Sequence, residues 1–517
     1  MILSLILTTL MAQHPAGHAT PHQPVKLLPG MGKHTHPTGT ANGEAQQYFD
    51  QGLNLLYGFN RFEAFRSFEK AAQLDPTPLL PKWGMAMAKG PHVNQDMDQD
   101  VDLKAYCALL KGLQHPYATA ARARCGGGDA AYIAAMAQLA AAHPDDLDAQ
   151  TLYAEALMIP VRWHWFTRTG QPSAGMAEAI RVLEGVLRRN PDHPGANHFY
   201  IHAVEMSSTP ERAIPASQRL MGVVPGAGHL VHMPGHIWLR VGDYEMAAVV
   251  NERAAEVDRA YLGATGVTDS SYMGYYMHNL HFIAAARQMQ GRATDAVAAA
   301  KTLHEAVMPM AAVMPEMVDI FGPYYWFVLE RFGRWDEILA QPKPDPKLTG
   351  ATAFWHWARV LALHGKGQDT AAEFKVFAAA RLAVPRNRPW MGSPAGAMFD
   401  LAAHVLNARL AKAPAAAVPH WRLAVAAQDA LSYEEPPLWY APLRESLGAA
   451  LLRSRQPAEA AAVFRRGLVD TPRNGRMLFG LAQALAAQGK AEAAAAVERE
   501  FQEAWRRADI KLTLDSL

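Results

Sequence analysis

A chain of 517 residues has room for several ordinary domains or for one long repeat array that buries its core between neighbouring units. Half of its residues are hydrophobic and only 19% are charged, which excludes a disordered chain. Forty-nine Lys and Arg against 48 Asp and Glu leave a formal net charge of +1. That balance lacks the basic excess a phosphate backbone demands, so nucleic acid is not an expected partner.

In chain order, Ile2 to Met11 is an apolar run of signal-peptide length, followed by small residues at Ala12 and from Ala16 to Ala19. Residues 1–19 are expected to be a signal peptide and the mature chain periplasmic or secreted, although no Lys or Arg precedes the run. No later apolar stretch reaches the ~18–20 residues of a membrane span, so none is expected in the mature chain. Residues 20–43 are rich in His, Pro, Gly and Thr without helical period and read as a flexible lead segment. Its GKHTHP run places His34 and His36 where they could fold back, though a flexible tail is the expectation.

Residues 44–517 read as a helical array. From Gln46, Gly52 sits where a first helix must let its partner approach closely, and Ala64, Phe68, Ala71 and Pro76 follow at second-helix spacing. Gly448, Ala460, Phe464 and Pro472 repeat those offsets, and Ala482, Gly489 and Ala494 continue in register. This pattern resembles the tetratricopeptide (TPR) unit, and the expected fold class is an all-α, TPR-like helix-turn-helix solenoid of about ten units. The stretch 90–130 fits the template poorly and reads as a loop-rich insertion, and Pro160–Gly175 and Met308–Gly322 as irregular segments. Cys107 and Cys125, without CxxC spacing, are able to pair in an oxidising compartment.

The repeat register predicts direction, because positions three or four apart on each first helix line the concave groove. His198, His202 and Glu205 fall on groove positions of one unit, His229, His232 and His236 on those of the next, and His278 and His281 on those of a third. Side chains three or four apart on a helix lie ~5–6 Å apart at Cβ, close enough for two imidazoles to share one ion. These eight residues are therefore the expected metal ligands, and thiolate-free imidazole ligation favours copper or zinc, with iron and nickel as further candidates. Pro234 is expected to kink the helix between His232 and His236.

Other groove candidates have a plainer reading. His92, Asn94 and Glu155 read as solvated or hydrogen-bonded residues, and Trp163, His164, Trp165, Trp439 and Tyr440 as packing between repeats. Tyr275 and Tyr276 lie one turn from His278, near any redox centre there. No nucleophile elbow, phosphate loop, dinucleotide fingerprint or HExxH motif occurs, so an enzyme here would have to use the metal itself.

From about Lys33 to Ile510 the chain resembles a group of bacterial TPR proteins. GMGKHTHP, YFDQGL, HFYIHAVE, HMPGHIWLRVGDY and EEPPLWYAPLRESLGAALL carry the likeness. The resemblance implies the fold and no particular activity. TPR arrays in general imply a groove for a peptide or partner protein, which makes a metal-free binding scaffold the alternative to a metal site.

Overall fold

The structure is a computed structural model that describes residues 24–94, 102–267, 272–312 and 314–517. The expected signal peptide lies outside these residues, as does 95–101 within the expected insertion. The described chain is helical almost throughout and divides into two units. One runs up to Trp238 and includes Val249–Asn279; the other comprises Leu239–Ala248 and Leu280–Leu517.

In the first unit the helices are α1 (Gly43–Tyr57), α2 (Arg61–Leu74), α3 (Leu80–Met87), α4 (Leu103–Leu110), α5 (Pro116–Arg122), α6 (Arg124–Ala142), α7 (Leu147–Met158), α8 (Met176–Arg189), α9 (Pro194–Glu205), α10 (Ile214–Val223), α11 (Gly228–His232) and α12 (Pro234–Arg240). The chain continues through α13 (Tyr244–Thr265) and α14 (Tyr272–Met289).

Local chemistry sets the helix starts. The Asn42 side chain accepts from the backbone N–H of Glu44 at 3.0 Å and Ala45 at 3.2 Å, and Asn60 accepts from Glu63 at 3.2 Å, so each satisfies donors that a helix N-terminus leaves open. Packing then joins the helices. The fully buried Phe68 ring lies between Gly52 and Gly84, where an added Cβ would meet it at 2.7 and 2.6 Å. Only glycine admits the ring on both sides, which is how α1, α2 and α3 approach one another. Phe68→Ala is expected to cost ~3–5 kcal/mol in urea unfolding, because the two glycines offer no side chain to fill the void.

The same device recurs in the second unit, where the Phe464 ring is wedged between Gly448 and Gly480. There Phe464 lies on the helix Pro457–Asp470, between helices Arg444–Arg453 and Gly475–Ala487. Trp439 and Tyr440 are buried in this unit against Phe327, at ring distances of 5.8 and 5.0 Å, as the packing reading expected. A short hairpin, Pro389–Trp390 with Ser393–Pro394, interrupts the helices.

Three expectations change. Residues 102–130 are mostly helix rather than loop, since α4, α5 and the start of α6 lie there, and a Cys107–Cys125 disulfide with Cα atoms 5.8 Å apart ties α4 to α6. Met308–Gly322 contains a short helix, Pro315–Phe321, whereas Pro160–Gly175 has no α-helix. Residues 24–42 have no helix, yet they are held by the helices of the first unit. The Leu28 N–H donates to Gln51 Oε1 at 2.6 Å, and His34 Nε2 and His36 Nδ1 each meet the Asp148 carboxylate at 2.9 Å. Asp148 is a buried carboxylate and requires donors. His34, His36, the Tyr57 hydroxyl at 2.6 Å and His193 Nε2 at 3.3 Å supply them, which fixes the segment the sequence suggested was flexible.

Candidate metal centre

The site is assembled in the first unit from α9, α11, α12 and α14. On α9, His198, His202 and Glu205 are all fully buried. His198 Nδ1 lies 2.5 Å from the Tyr57 carbonyl oxygen, and His202 Nδ1 lies 3.0 Å from Glu205 Oε1. A carbonyl or carboxylate oxygen only accepts, so both Nδ1 atoms carry the proton. Both Nε2 atoms then present a lone pair. Among the described residues, His202 Nε2 and His229 Nδ1 are buried with no hydrogen-bond partner.

Pro234 decides the geometry of the next two helices. It has no N–H and its ring crowds the preceding turn, so the helix stops at His232 and restarts with Pro234 as its first residue. Across the break, His232 Nε2 and His236 Nε2 come within 2.8 Å. His232 Nδ1 lies 2.6 Å from the Asn251 amide oxygen, and His236 Nδ1 lies 2.6 Å from Glu205 Oε2. Acceptors therefore hold both outer nitrogens protonated, and two lone pairs face each other. A proton or a cation between them relieves that contact.

The imidazoles form two groups of three. His198, His202 and His229 bring one ligand nitrogen each to within 4.8 Å of one another, and His232, His236 and His278 do the same. In the first group, the Nε2 atoms of His198 and His229 are 3.2 Å apart. Two nitrogens bound to one ion at ~2.0–2.1 Å and a tetrahedral angle would be ~3.3 Å apart. In the second, the half-buried His278 ring lies 4.8 Å from that of His232. Its helix is tied in place next door, where Asn279 Nδ2 donates to the buried Asp258 carboxylate at 2.7 Å.

Electrostatics favours neutral imidazoles. Burial, reinforced by the neighbouring histidines, holds His198, His229 and His232 well below the usual histidine range, and burial lowers His202 as well. Glu205 is the one carboxylate shared by both groups through His202 and His236. Burial works to raise it, but the imidazoles on either side win and hold it below the usual carboxylate range, so it stays ionised. Buried, oriented, neutral histidines with an anionic carboxylate behind them are what a divalent transition metal requires.

Aromatic rings close the site. Phe59, in the left-handed backbone region at φ 56°, sets its ring 4.5 Å from His198 and 5.2 Å from His229. A non-glycine residue with that backbone is strained, and here the strain aims the ring at the imidazoles. Trp165 packs 5.6 Å from His202 and Tyr275 4.4 Å from His229.

Of the eight ligands expected, seven are brought together. Glu205 takes the place of an orienting partner behind two imidazoles, and His281 is absent from both groups. It lies in the second unit with its ring 4.2 Å from Tyr324 and 5.7 Å from Phe321, buried and pushed down to about 3 by that burial. His278 and His281 share a helix face, but His281 lies one turn farther along, where Tyr324 and Phe321 pack against it instead of imidazoles.

His92 is buried with its ring 4.5 Å from Phe59, and Asn94 is the last described residue before 95. Glu155 is buried rather than solvated, and burial pushes it up to about 7. Trp163 is half-buried and His164 exposed. Sequence reasoning missed Asn251, the Tyr57 carbonyl, Phe59 and the pair Asp148 and His193. The HPGAN start of α9 carried a signal for His193, whose Nδ1 accepts from the Ala196 N–H at 3.2 Å as a helix cap.

The helix pairs with their Gly-Phe-Gly wedges are of TPR type. No family model matches the sequence, and no curated protein matches it. Solved structures to which the chain is similar match most of its length at low identity. They include the human IFIT1 dimer with m7Gppp-AAAA, at 11% identity over 91% of each chain and a TM-score of 0.31. The yeast Tom70 structure is similar at 11% identity over 91% of this chain and 93% of that one, with a TM-score of 0.32. The Cut9 and Hcn1 hetero-tetramer is similar at 12% identity over 92% of this chain and 79% of that one, with a TM-score of 0.33.

Proposed function

We propose that this TPR-type protein is exported and binds a transition metal, copper or zinc, through His198, His202, His229, His232, His236 and His278, with Glu205 orienting two of them. The observation that carries the reading is the convergence of Nε2 lone pairs at His198, His202, His232 and His236, the first three held by a hydrogen-bond acceptor on the other ring nitrogen and His236 by its ion pair with Glu205. Metal-binding histidines are oriented in this way by carbonyl and carboxylate partners. A purely structural histidine cluster would use its second nitrogens in hydrogen bonds, and the buried His202 Nε2 is without one among the described residues. Imidazole-rich, thiolate-free ligation favours copper or zinc over magnesium or calcium.

Export is supported by the Cys107–Cys125 bond, since disulfides persist in oxidising compartments. No helix of the described residues is long and apolar enough to cross a membrane.

Elemental analysis of the purified chain, before and after changing His229, His232 and His236 to Ala, tests the proposal. Stoichiometric metal that the triple variant loses, with helical content retained, is the expected result. Metal-free protein in both cases would leave the alternative, a scaffold that binds a peptide or partner protein in its groove.

A further inference from the structure

We propose that the two trihistidine groups hold two copper ions as one coupled pair, joined by a small oxygen ligand such as hydroxide. This rests on the metal reading above and extends it to the nuclearity of the site and the class of ligand it takes.

One first-row ion in this kind of site takes about four protein ligands, so six imidazoles exceed its capacity. They divide three and three. The edges within the groups suit separate ions, because ligand nitrogens bound at ~2.0–2.1 Å are ~3.3 Å apart at a tetrahedral angle and ~2.9 Å apart at a right angle. The observed pairs are at 3.2 Å for His198 with His229 and 2.8 Å for His232 with His236.

The groups also adjoin one another. Across them, the rings of His229 and His232 lie 5.6 Å apart and those of His202 and His236 5.9 Å apart. Within them, His202 and His229 are 6.4 Å apart and His236 and His278 6.1 Å. Rings that belong to different ions are thus closer than the widest-spaced rings that share one, which makes the two ions neighbours.

Glu205 spans the pair from behind, with Oε1 at His202 and Oε2 at His236. Its single negative charge does not balance two divalent ions in a buried site. Three imidazoles leave each ion an open position, and a hydroxide shared between those positions supplies both the missing ligand and further negative charge. It forms from water, whose proton passes to solvent. The rings of Phe59, Trp165 and Tyr275 pack against the imidazoles, which favours a small bridge. Nitrogen-only ligation selects copper for such a pair, since it ranks highest in affinity among the divalent first-row ions at imidazole sites.

The experiment titrates Cu(II) into the full chain after removal of metal by chelation, and reads copper per chain together with the electron paramagnetic resonance signal. Two coppers per chain with a nearly silent signal are expected, because two bridged Cu(II) ions pair their spins. His278→Gln is expected to leave one copper per chain with a full signal; should that variant lose helical content, His229→Gln serves the same purpose at the other group. A single copper in the unaltered chain, or two with the full signal of isolated ions, overturns the pair and leaves the metal reading intact. No copper held more tightly than by the triple alanine variant overturns both.

Discussion

Replacing Glu205 by Gln is expected to weaken metal binding about 10–100-fold, the usual scale for losing an oriented partner behind a histidine ligand. The two groups should suffer unequally. A Gln carbonyl still accepts from His202 Nδ1, which sits 3.0 Å from Oε1. Its NH2, placed where Oε2 now meets His236 Nδ1 at 2.6 Å, is a donor, and it forces that imidazole to carry its proton on Nε2. A protonated Nε2 has no lone pair to give. Competition titration against a chelator of known affinity reads the change, and equal affinity in Glu205→Gln and the unaltered chain would show that the carboxylate orients nothing.

Acid is expected to unfold the metal-free chain well before it affects an average protein. A histidine kept below its free value of ~6.5 stays neutral when folded, while the unfolded chain takes up the proton. Its contribution to stability is fully present above that value and is lost as the pH falls below it, at ~1.4 kcal/mol per pH unit for each such group. Burial is the first cause of this lowering at His193, His198, His202, His229, His232 and His281.

His36 works in the opposite sense. Burial lowers it, but the Asp148 carboxylate outweighs burial and raises it, so its contribution is present below ~6.5 and lost as the pH rises. Glu155 and Asp258, both pushed up by burial to about 7, act in the same sense as His36, so six groups against three leave the acid side dominant. Urea unfolding at pH 7.5, 6.5 and 5.5 should show stability dropping steeply across the lower interval, and His281→Gln should flatten the slope by one proton without touching the metal groups. A profile level down to pH 5.5 would contradict the buried, neutral state of these rings.

Much of the molecule is legible in its sequence. The glycine and phenylalanine positions that announce close helix pairs, Gly52 with Phe68 and Gly448 with Phe464, are the contacts the structure makes. They are readable because a missing Cβ and a large ring at fixed spacing have few other uses. The groove-facing register also grouped His198, His202, His229, His232, His236 and His278, since helical period is a local property.

The same rule failed for His281, because register gives the side of a helix and not the partner it meets. It failed more widely for the lead segment. His34 and His36 meet Asp148 more than a hundred residues away, and no local pattern records that a buried carboxylate there lacks donors.

What the amino-acid order by itself determined is the set of helices, their pairing through glycine, and the face on which the histidines stand, all of them consequences of spacing along a short stretch of chain. Only the tertiary structure decided which ring nitrogen carries the proton. That choice belongs to the Tyr57 carbonyl for His198 and to the Asn251 amide for His232, acceptors that folding brings in from other helices. Because a neutral imidazole binds metal through whichever nitrogen is left unprotonated, those acceptors turn a row of histidines into two converging sets of lone pairs.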